Sequence, residues 1–197
     1  MRHDLSQEGD AFRLRPVALE DSAFIVALRT DPSLSRFVHT TAADPAAQRA
    51  WIERYFERAG DYYFIIENQH TKTPEGTISI YDLDPQHKTA EWGRWILRAG
   101  SLAAVESVMH LYRIAFAHLG LDSVYCRTLV ENEKVVSFHT SCGLKTTGVL
   151  TGAFNMDGQP RDAVEQRLSR SEWPAVEARL APLAARTARL VARERRP

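Results

Sequence analysis

Alternating apolar and polar positions divide the first half of the chain into strands and helices. A period of two, typical of half-buried strands, is found at residues 11–17, 62–68, 76–83 and 88–98. Apolar residues at every third or fourth position instead predict helices at residues 19–32 and 45–60. Asp44 followed by Pro45 is a typical helix start, and Pro32 ends the earlier helix. The chain therefore begins strand, helix, helix and continues with three strands.

The second half returns to helices before it ends in strands and a last helix. The segment 99–120 has a long apolar stripe, with Ser101 as the expected N-cap and Gly120 just past its end. Glu106 and His110 fall opposite that stripe and are expected to face solvent. The remaining elements are a strand at 123–130, a helix at 130–144, strands at 144–150 and 162–170, and a helix from residue 171 that is interrupted near Pro182.

This order of elements indicates a mixed α/β fold. The helix at 99–120 joins two strands by a crossover, so those strands are expected to be parallel and their connection right-handed. A chain of 197 residues is long enough for one well-buried domain and too short for two. We therefore expect one domain over residues 1–170 and a helical extension over residues 171–197.

The helix at 130–144, VENEKVVSFHTSCGL, carries a histidine among its apolar positions. Asn132, Val135, His139 and Cys142 share one stripe, and Gly143 follows where an αL residue usually ends a helix. His139 is therefore expected to point toward whatever the helix packs against. The pattern alone does not decide between two alternatives. His139 is either a half-buried residue whose ring is hydrogen-bonded within the core, or a residue with a role in function.

Composition narrows the classes of partner. Lysine plus arginine and aspartate plus glutamate each number 25, and the pI is near 7.1, so no basic excess argues for nucleic acid. The N-terminus MRHDLSQEGD has no signal-peptide core and no apolar run reaches about 18 residues, so we expect a cytoplasmic protein without a membrane partner. Cys126 and Cys142 form no CxxC pair and the histidines show no HExxH pattern, so we expect no metal site.

Two stretches, AEWGRWIL followed by a loop and long helix, and VENEKVVSFHTSCGL, resemble the GNAT acetyltransferase superfamily. The resemblance runs from about Phe12 to Arg170 and is nearest to the bacterial branches that acetylate nucleotide-linked amino sugars or the N-termini of ribosomal proteins. It implies an α/β (α+β) fold with a mixed, mostly antiparallel sheet of six to seven strands flanked by helices. It also implies transfer of an acetyl group from acetyl-CoA to a primary amine.

In this family a loop of pattern Q/RxxGxG/A cradles the pyrophosphate of acetyl-CoA at a helix N-terminus. Here the loop is RAGSLAA, in which Arg98 and Gly100 match but a later glycine is replaced and the loop is shorter. The resemblance places at the pyrophosphate the residues Gly100, Ser101, Leu102, Ala103 and Ala104. An ordinary helix N-cap is the alternative interpretation of Gly100 and Ser101.

The resemblance also implies contacts to the pantetheine arm of the cofactor. The backbone of Ile96, Leu97 and Arg98 would pair with the arm, and Asn132 would contact it from the neighbouring helix. Alternatively, Asn132 could serve only as the residue that starts its helix.

Acetyl transfer needs a neutral amine, a polarised thioester carbonyl and a proton for the departing thiolate. By resemblance, Glu91 lies on the strand that supplies the base, although a carboxylate paired with Arg94 or Arg127 is the alternative. His139 stands where many family members have the tyrosine that protonates the leaving sulfur. Either an imidazolium or a positioned imidazole N–H suits that role.

The family builds its acceptor pocket from the first two helices and their loop. The corresponding residues suit a sugar ring and a nucleotide phosphate, with Thr41, Trp51 and Tyr55 nearby: Arg36, Phe37, His39, Thr40 and Tyr81. Alternatively, these residues could serve only to pack the loop and the core. Trp92 and Trp95 could narrow the acyl pocket, although strand alternation allows only one of them to face it.

The leading interpretation is an N-acetyltransferase that acts by direct transfer in a ternary complex on a nucleotide-linked amino sugar of bacterial surface polysaccharide synthesis. A protein N-terminal acetyltransferase, a non-catalytic acyl-CoA-binding domain and a purely structural interaction protein are the alternatives. The altered glycine loop favours the non-catalytic domain. Formation of a homodimer through the late strands or the last helix is left open.

Overall fold

The computed structural model describes residues 2–193 of the chain. Eight strands form one sheet in the order β1-β2-β3-β4-β5-β6-β8-β7. The strands are β1 (Gln7–Glu8), β2 (Phe12–Pro16), β3 (Tyr62–Asn68), β4 (Pro74–Asp84), β5 (Thr89–Leu97), β6 (Ser123–Leu129), β7 (Lys145–Met156) and β8 (Gln159–Ser169). The α-helices of this part of the chain are α1 (Ser22–Thr30), α2 (Pro45–Tyr55), α3 (Ala104–Arg113), α4 (Glu133–Ser141) and α5 (Trp173–Arg193).

The sheet has eight strands, so the predicted number of six to seven is wrong. The strand that was missed, β1, has two residues, which pair antiparallel with Leu14 and Arg13 of β2. So short a strand has no period for a sequence pattern to detect. The mixed, mostly antiparallel architecture is confirmed, as is the parallel pairing of β5 with β6 around α3.

The two faces of the sheet bury different apolar sets. Phe64 and Ile66 of β3 belong to the larger core, which α3 and α5 complete. Tyr63 and Ile65, which alternate with them along the strand, point to the opposite face and pack with residues of α1 and α2. The sheet is therefore the middle of three layers.

The helix α3 is buried on more sides than its sequence pattern predicts. Glu106 and His110, expected to face solvent, are exposed by only 2% and 0%. The N-terminal segment covers them, because Glu106 accepts a hydrogen bond from the Ala11 amide and a ring nitrogen of His110 lies 3.2 Å from the Phe12 carbonyl. A π-helical turn, Ile114–His118, continues the helix.

The last helix, α5, runs unbroken through Pro182, so the predicted interruption there is wrong. Proline removes one N–H donor, but a buried face stabilises the helix on both sides of it: Trp173, Val176, Leu180, Ala184, Ala188 and Val191. These residues belong to the same core as α3. Residues 194–197 of the predicted extension lie outside the described residues, as does Met1 of the predicted domain. Within residues 2–193, no helix is both long and apolar enough to cross a membrane.

Candidate active site

The strands β5 and β6 diverge after a short parallel pairing, and a cleft opens between them. Only Thr89–Glu91 pairs with Ser123–Tyr125. Beyond that point β5 continues its pairing with β4 and β6 continues with β8. The cleft has a volume of about 1150 Å³ and extends over the start of α4 and the loop between α1 and α2. The edge of β5 that borders the cleft has no strand partner in the described chain, so its backbone can bind an extended ligand.

A β-bulge in β5 turns two tryptophans to the same side. The register of β5 against β4 shifts after Gly93, where Arg94 has a φ of +48°. Trp92 and Trp95 both contact the His139 ring, with centroid distances of 4.8 and 5.7 Å. The prediction that only one of the two tryptophans faces the pocket is wrong, because strict alternation ends at the bulge.

His139 lines the cleft and is exposed by only 4%. Its Nδ1 lies 3.3 Å from the Cys126 sulfur and 3.5 Å from the Thr128 hydroxyl. Burial lowers the pKa of His139 to about 4, and the Gln166 side chain offsets that shift only in part. The imidazole is therefore neutral at pH 7. A proton donor at His139 is then the neutral imidazole N–H and not an imidazolium ion.

The Cys126 thiol also lies in the wall of the cleft. Burial raises the pKa of Cys126, and the negative charge of Glu91 raises it further. The thiol stays protonated at neutral pH, and a protonated thiol is a poor nucleophile.

Glu91 lies behind the cleft wall and has two hydrogen-bond partners. The Tyr81 hydroxyl donates to Oε1 at 3.1 Å, and Nη1 of Arg127 donates to Oε2 at 3.1 Å. The pairing with Arg127 is thus present, whereas Arg94 pairs with Asp61. Burial raises the pKa of Glu91, and Arg127 and Tyr81 oppose that shift. Because Tyr81 forms part of the wall, its hydroxyl connects the carboxylate to the cleft.

The loop after β5 begins with an arginine whose charge is already partnered. The Arg98 guanidinium donates two hydrogen bonds of 2.7 Å to the Glu75 carboxylate. Gly100 has a φ of +79°, a conformation that glycine adopts without steric cost. The side chain of Arg98 therefore has no free charge, and the loop itself depends on Gly100 for its turn.

The N-terminus of α3 differs in detail from the prediction. Its N-cap is Ala103, and Ser101 instead accepts a hydrogen bond of 3.3 Å from the Ala103 amide. Ala103 is fully buried, whereas Leu102 and Ala104 are half-buried. The amides of the first turn have no acceptor within the helix, and together with the helix dipole they favour an anion.

Ile96 and Leu97 of β5 line one side of the cleft, and Asn132 lines the other at the start of α4. Asn132 occupies the N-cap position, but its side chain makes no capping hydrogen bond. Its amide group is thus not used by its own helix and is free to contact a ligand.

All five residues assigned to the acceptor line the cleft: Arg36, Phe37, His39, Thr40 and Tyr81. The Thr40 hydroxyl donates a hydrogen bond of 2.9 Å to Asp157, which lies in the turn between β7 and β8. This contact holds the loop between α1 and α2 against the β7–β8 hairpin. Trp51 also lines the cleft, whereas Tyr55, the last residue of α2, is buried in the smaller core.

Two arginines at the acceptor end were not predicted. Arg94 forms two hydrogen bonds with Asp61, of 2.6 and 2.9 Å, and its guanidinium lies 4.6 Å from the Tyr81 ring centre. Arg29, in the last turn of α1, donates a hydrogen bond of 2.7 Å to the Thr41 hydroxyl. Nothing in the sequence marks Arg29 as a site residue, because a basic residue is common in the last turn of a helix. Arg94 reaches this end of the cleft because the bulge reverses the direction of its side chain.

Comparison with known sequences gives one family. The sequence profile of the GNAT acetyltransferase domain matches residues 12–145, which is more than half of the chain. No protein of curated function matches the sequence significantly.

Several solved structures share the fold. A protein of T. thermophilus that has been assigned as an acetyltransferase is 31% identical, with 90% of this chain and 95% of that one covered and a TM-score of 0.77. FdhC, a nucleotide-linked sugar GNAT, is 27% identical over 91% of this chain and 98% of its own, with a TM-score of 0.76. A variant of the spermidine N-acetyltransferase SpeG of Vibrio cholerae is 20% identical over 84% and 97%, with a TM-score of 0.72, a likeness of fold alone. The chain belongs to the GNAT superfamily and is an acetyl-CoA-dependent N-acetyltransferase.

Proposed function

We propose that the enzyme acetylates the primary amine of a nucleotide-linked amino sugar by direct transfer, with acetyl-CoA and the acceptor bound together. The observation that carries this proposal is one continuous cleft, which runs from the diverging ends of β5 and β6 to the loop between α1 and α2. Its volume of about 1150 Å³ exceeds that of a typical site for one small ligand. Likeness to the nucleotide-linked sugar GNAT supports the choice of acceptor.

In this proposal acetyl-CoA lies along the free edge of β5. The backbone of Ile96 and Leu97 pairs with the pantetheine arm, and Asn132 contacts the arm from the start of α4. Arg98 can contribute only its carbonyl, because its amide donates to the Glu75 carbonyl. The pyrophosphate is bound at the loop of Gly100, Ser101, Leu102, Ala103 and Ala104. The amides of Ser101 and Ala103 would have to give up their present acceptors, the Arg98 carbonyl and the Ser101 hydroxyl. Since Glu75 already neutralises Arg98, the attraction for the pyrophosphate comes chiefly from the helix N-terminus.

Glu91 is the proposed base, and it acts through Tyr81. The amine nitrogen attacks the thioester carbonyl carbon and gives a proton to the Tyr81 oxygen, while Tyr81 passes its own proton to Glu91 along their hydrogen bond. The raised pKa of Glu91 favours this transfer. The C–N bond forms, the C–S bond breaks, and CoA leaves as a thiolate. The neutral N–H of His139 donates a hydrogen bond to the thiolate, which takes its proton from water. The proton held by Glu91 then returns through Tyr81 to the hydroxide that is formed, which restores the carboxylate.

The charges along the cleft argue against the protein N-terminal alternative, for which an acid-lined cleft is expected. The carboxylates that line the cleft within the described chain are Glu131 and Glu133, at the start of α4. Glu131 is already paired with Arg161 at 2.6 Å. A cationic acceptor therefore finds little free negative charge.

Titration calorimetry with acetyl-CoA tests the cofactor site. Ala104→Glu places a carboxylate at the first turn of α3, which stabilises a helix N-terminus but repels a pyrophosphate. We expect acetyl-CoA to bind about tenfold or more weakly to this variant, with no loss in melting temperature. Ala104→Gln, of equal length and without charge, is the control and should bind as the wild type does. Equal affinity of both variants would exclude the helix N-terminus as the pyrophosphate site.

Turnover separates the enzyme from a non-catalytic acyl-CoA-binding domain. Release of CoA in the presence of amino-sugar nucleotides is the expected result. Saturable binding of acetyl-CoA without turnover on any amine would instead support the non-catalytic alternative.

We further propose a cytoplasmic location, in keeping with two free cysteines, Cys126 and Cys142. Formation of a homodimer stays a prediction for size-exclusion chromatography.

A further inference from the structure

Arg29 is a cation without a carboxylate partner at the acceptor end of the cleft. Its Nε donates to the Thr41 hydroxyl at 2.7 Å, and its Nη2 donates to the His39 carbonyl at 3.2 Å. No acidic group within residues 2–193 forms an ion pair with it. These two hydrogen bonds fix the guanidinium in place but leave its charge unneutralised.

The neighbours of Arg29 increase this excess of positive charge. Burial lowers the pKa of Arg29, and Arg94 lowers it as well, whereas Tyr63 has the opposite effect. The carboxylate of Asp61 is not available to Arg29, because both of its oxygens accept hydrogen bonds from Arg94. Of these two guanidinium groups only that of Arg94 is paired with a carboxylate, and the charge of Arg29 stays unpaired in a half-buried environment, where an unpaired charge is costly.

An anionic ligand would remove that cost. A phosphate or carboxylate oxygen can accept a hydrogen bond from Nη1 of Arg29, which has no partner in the described chain, whereas the Thr41 hydroxyl already donates to the His39 carbonyl at 3.2 Å. Arg36, also in the cleft, is exposed and lies over the Phe37 ring at 5.0 Å, so it is less fixed than Arg29. A polyamine such as spermidine would bring a further positive charge to the same place.

We propose that Arg29 binds an anionic group of the amine acceptor and thereby selects acceptors that carry a phosphate or carboxylate. This inference rests on the proposed function, because it assigns the acceptor to this end of the cleft. The phosphate of a nucleotide-linked sugar is one source of such a group, and an acceptor with its own carboxylate is the other.

Matched ligands separate the two sources. Binding is measured by calorimetry, with and without saturating CoA, for glucosamine 1-phosphate against glucosamine and for 4-aminobutyrate against 4-aminobutanol. We expect the wild type to bind the phosphate about tenfold or more tightly than the neutral sugar, since hydrogen bonds to charged groups are the stronger ones. A preference confined to the aminobutyrate pair would assign the carboxylate source instead. The absence of a preference in both pairs would overturn the proposal.

Three variants test the assignment to Arg29. Arg29→Gln should remove the preference for the anionic ligand, and Arg29→Lys, which keeps the charge, should retain part of it. Arg49→Gln is the control, because Arg49 lies on α2 in a solvent-exposed pair with Glu53 and outside the cleft. A preference that survives Arg29→Gln would contradict the proposal, provided that the melting temperatures show folded protein.

Turnover of the same ligand pairs with acetyl-CoA, measured beside their binding, distinguishes a failure of this inference from a failure of the proposed function. If acetyl transfer proceeds with equal kcat/KM for both members of each pair, the anion site is wrong and the proposed function stands. If no amine is acetylated but the preference depends on Arg29, the anion site is supported and the proposed reaction is not.

Discussion

The Tyr81 hydroxyl donates a hydrogen bond of 3.1 Å to Glu91, its direct partner on the neighbouring strand. Tyr81 lines the cleft, and Arg127 holds the other oxygen of the same carboxylate. A buried acid is therefore connected to the substrate cleft by one hydroxyl group. This arrangement makes the base proposal testable at three separate residues.

Replacement of Tyr81 should interrupt the path for the proton. We expect Tyr81→Phe to lower kcat/KM for the acceptor by about a hundredfold, because general base catalysis typically contributes that much or more. Steady-state kinetics with a fixed, saturating concentration of acetyl-CoA measure the effect. Tyr62→Phe, on β3 and outside the cleft, should stay within about twofold of the wild type. Wild-type rates in Tyr81→Phe would exclude the relay.

The pH dependence of kcat/KM should reflect the titration of Glu91. Its pKa is raised by burial and lowered by Arg127, so the acidic limb of kcat/KM should lie above the ordinary range of a glutamate. Removal of the positive charge in Arg127→Gln should move that limb to higher pH, and Glu91→Gln should abolish it along with most of the activity. A limb that stays in place in Arg127→Gln would show that another group titrates.

His139 should make stability depend on pH. Its pKa is about 4 in the folded protein and about 6.5 when exposed, so the unfolded chain binds more protons between these values. The free energy of unfolding should therefore fall as the pH is lowered from about 6.5 to about 4, by up to roughly 3 kcal/mol from this residue.

Urea denaturation at several pH values measures this dependence in the wild type and two variants. His139→Gln should flatten the slope, whereas His118→Gln, at an exposed position of the same protein, should leave it unchanged. Equal slopes in all three proteins would mean that His139 does not carry the effect.

Direct transfer predicts that Cys126 is dispensable for the chemistry. Its raised pKa keeps the thiol protonated, so no acetyl-cysteine should form. Cys126→Ser should retain kcat within about threefold, and intact-mass spectrometry of the wild type with acetyl-CoA alone should show no covalent adduct. A stable adduct of one acetyl group that is absent in Cys126→Ser would instead indicate a two-step mechanism.

The end of α4 should be sensitive to a single methyl group. Gly143 has a φ of +97°, and a Cβ there would lie 2.5 Å from a methyl carbon of Val176 in α5. We expect Gly143→Ala to destabilise the protein by about 2–4 kcal/mol, measured by urea denaturation, from backbone strain and overpacking. Gly148→Ala adds the same methyl group in open space on β7 and should change stability little. Similar losses in both variants would contradict this explanation.

Local sequence patterns determined most elements of this fold and the direction of its most informative side chain. The periods of two and 3.6 located seven of the eight strands and the five helices, because each period reflects one buried face of a single element. The same reasoning turned His139 inward, and its exposure of 4% agrees with that. The sequence pattern, together with the resemblance to the family, also identified the loop between α1 and α2 that was assigned to the acceptor.

Only the tertiary structure decided how these elements form a cleft and which charges meet in it. The divergence of β5 from β6 and the pairing of Arg94 with Asp61 depend on contacts between segments far apart in sequence. No periodic pattern encodes such contacts. The unneutralised charge of Arg29 and the neutral state of His139 have the same origin, since both follow from burial by neighbouring elements, and burial depends on how the whole chain packs.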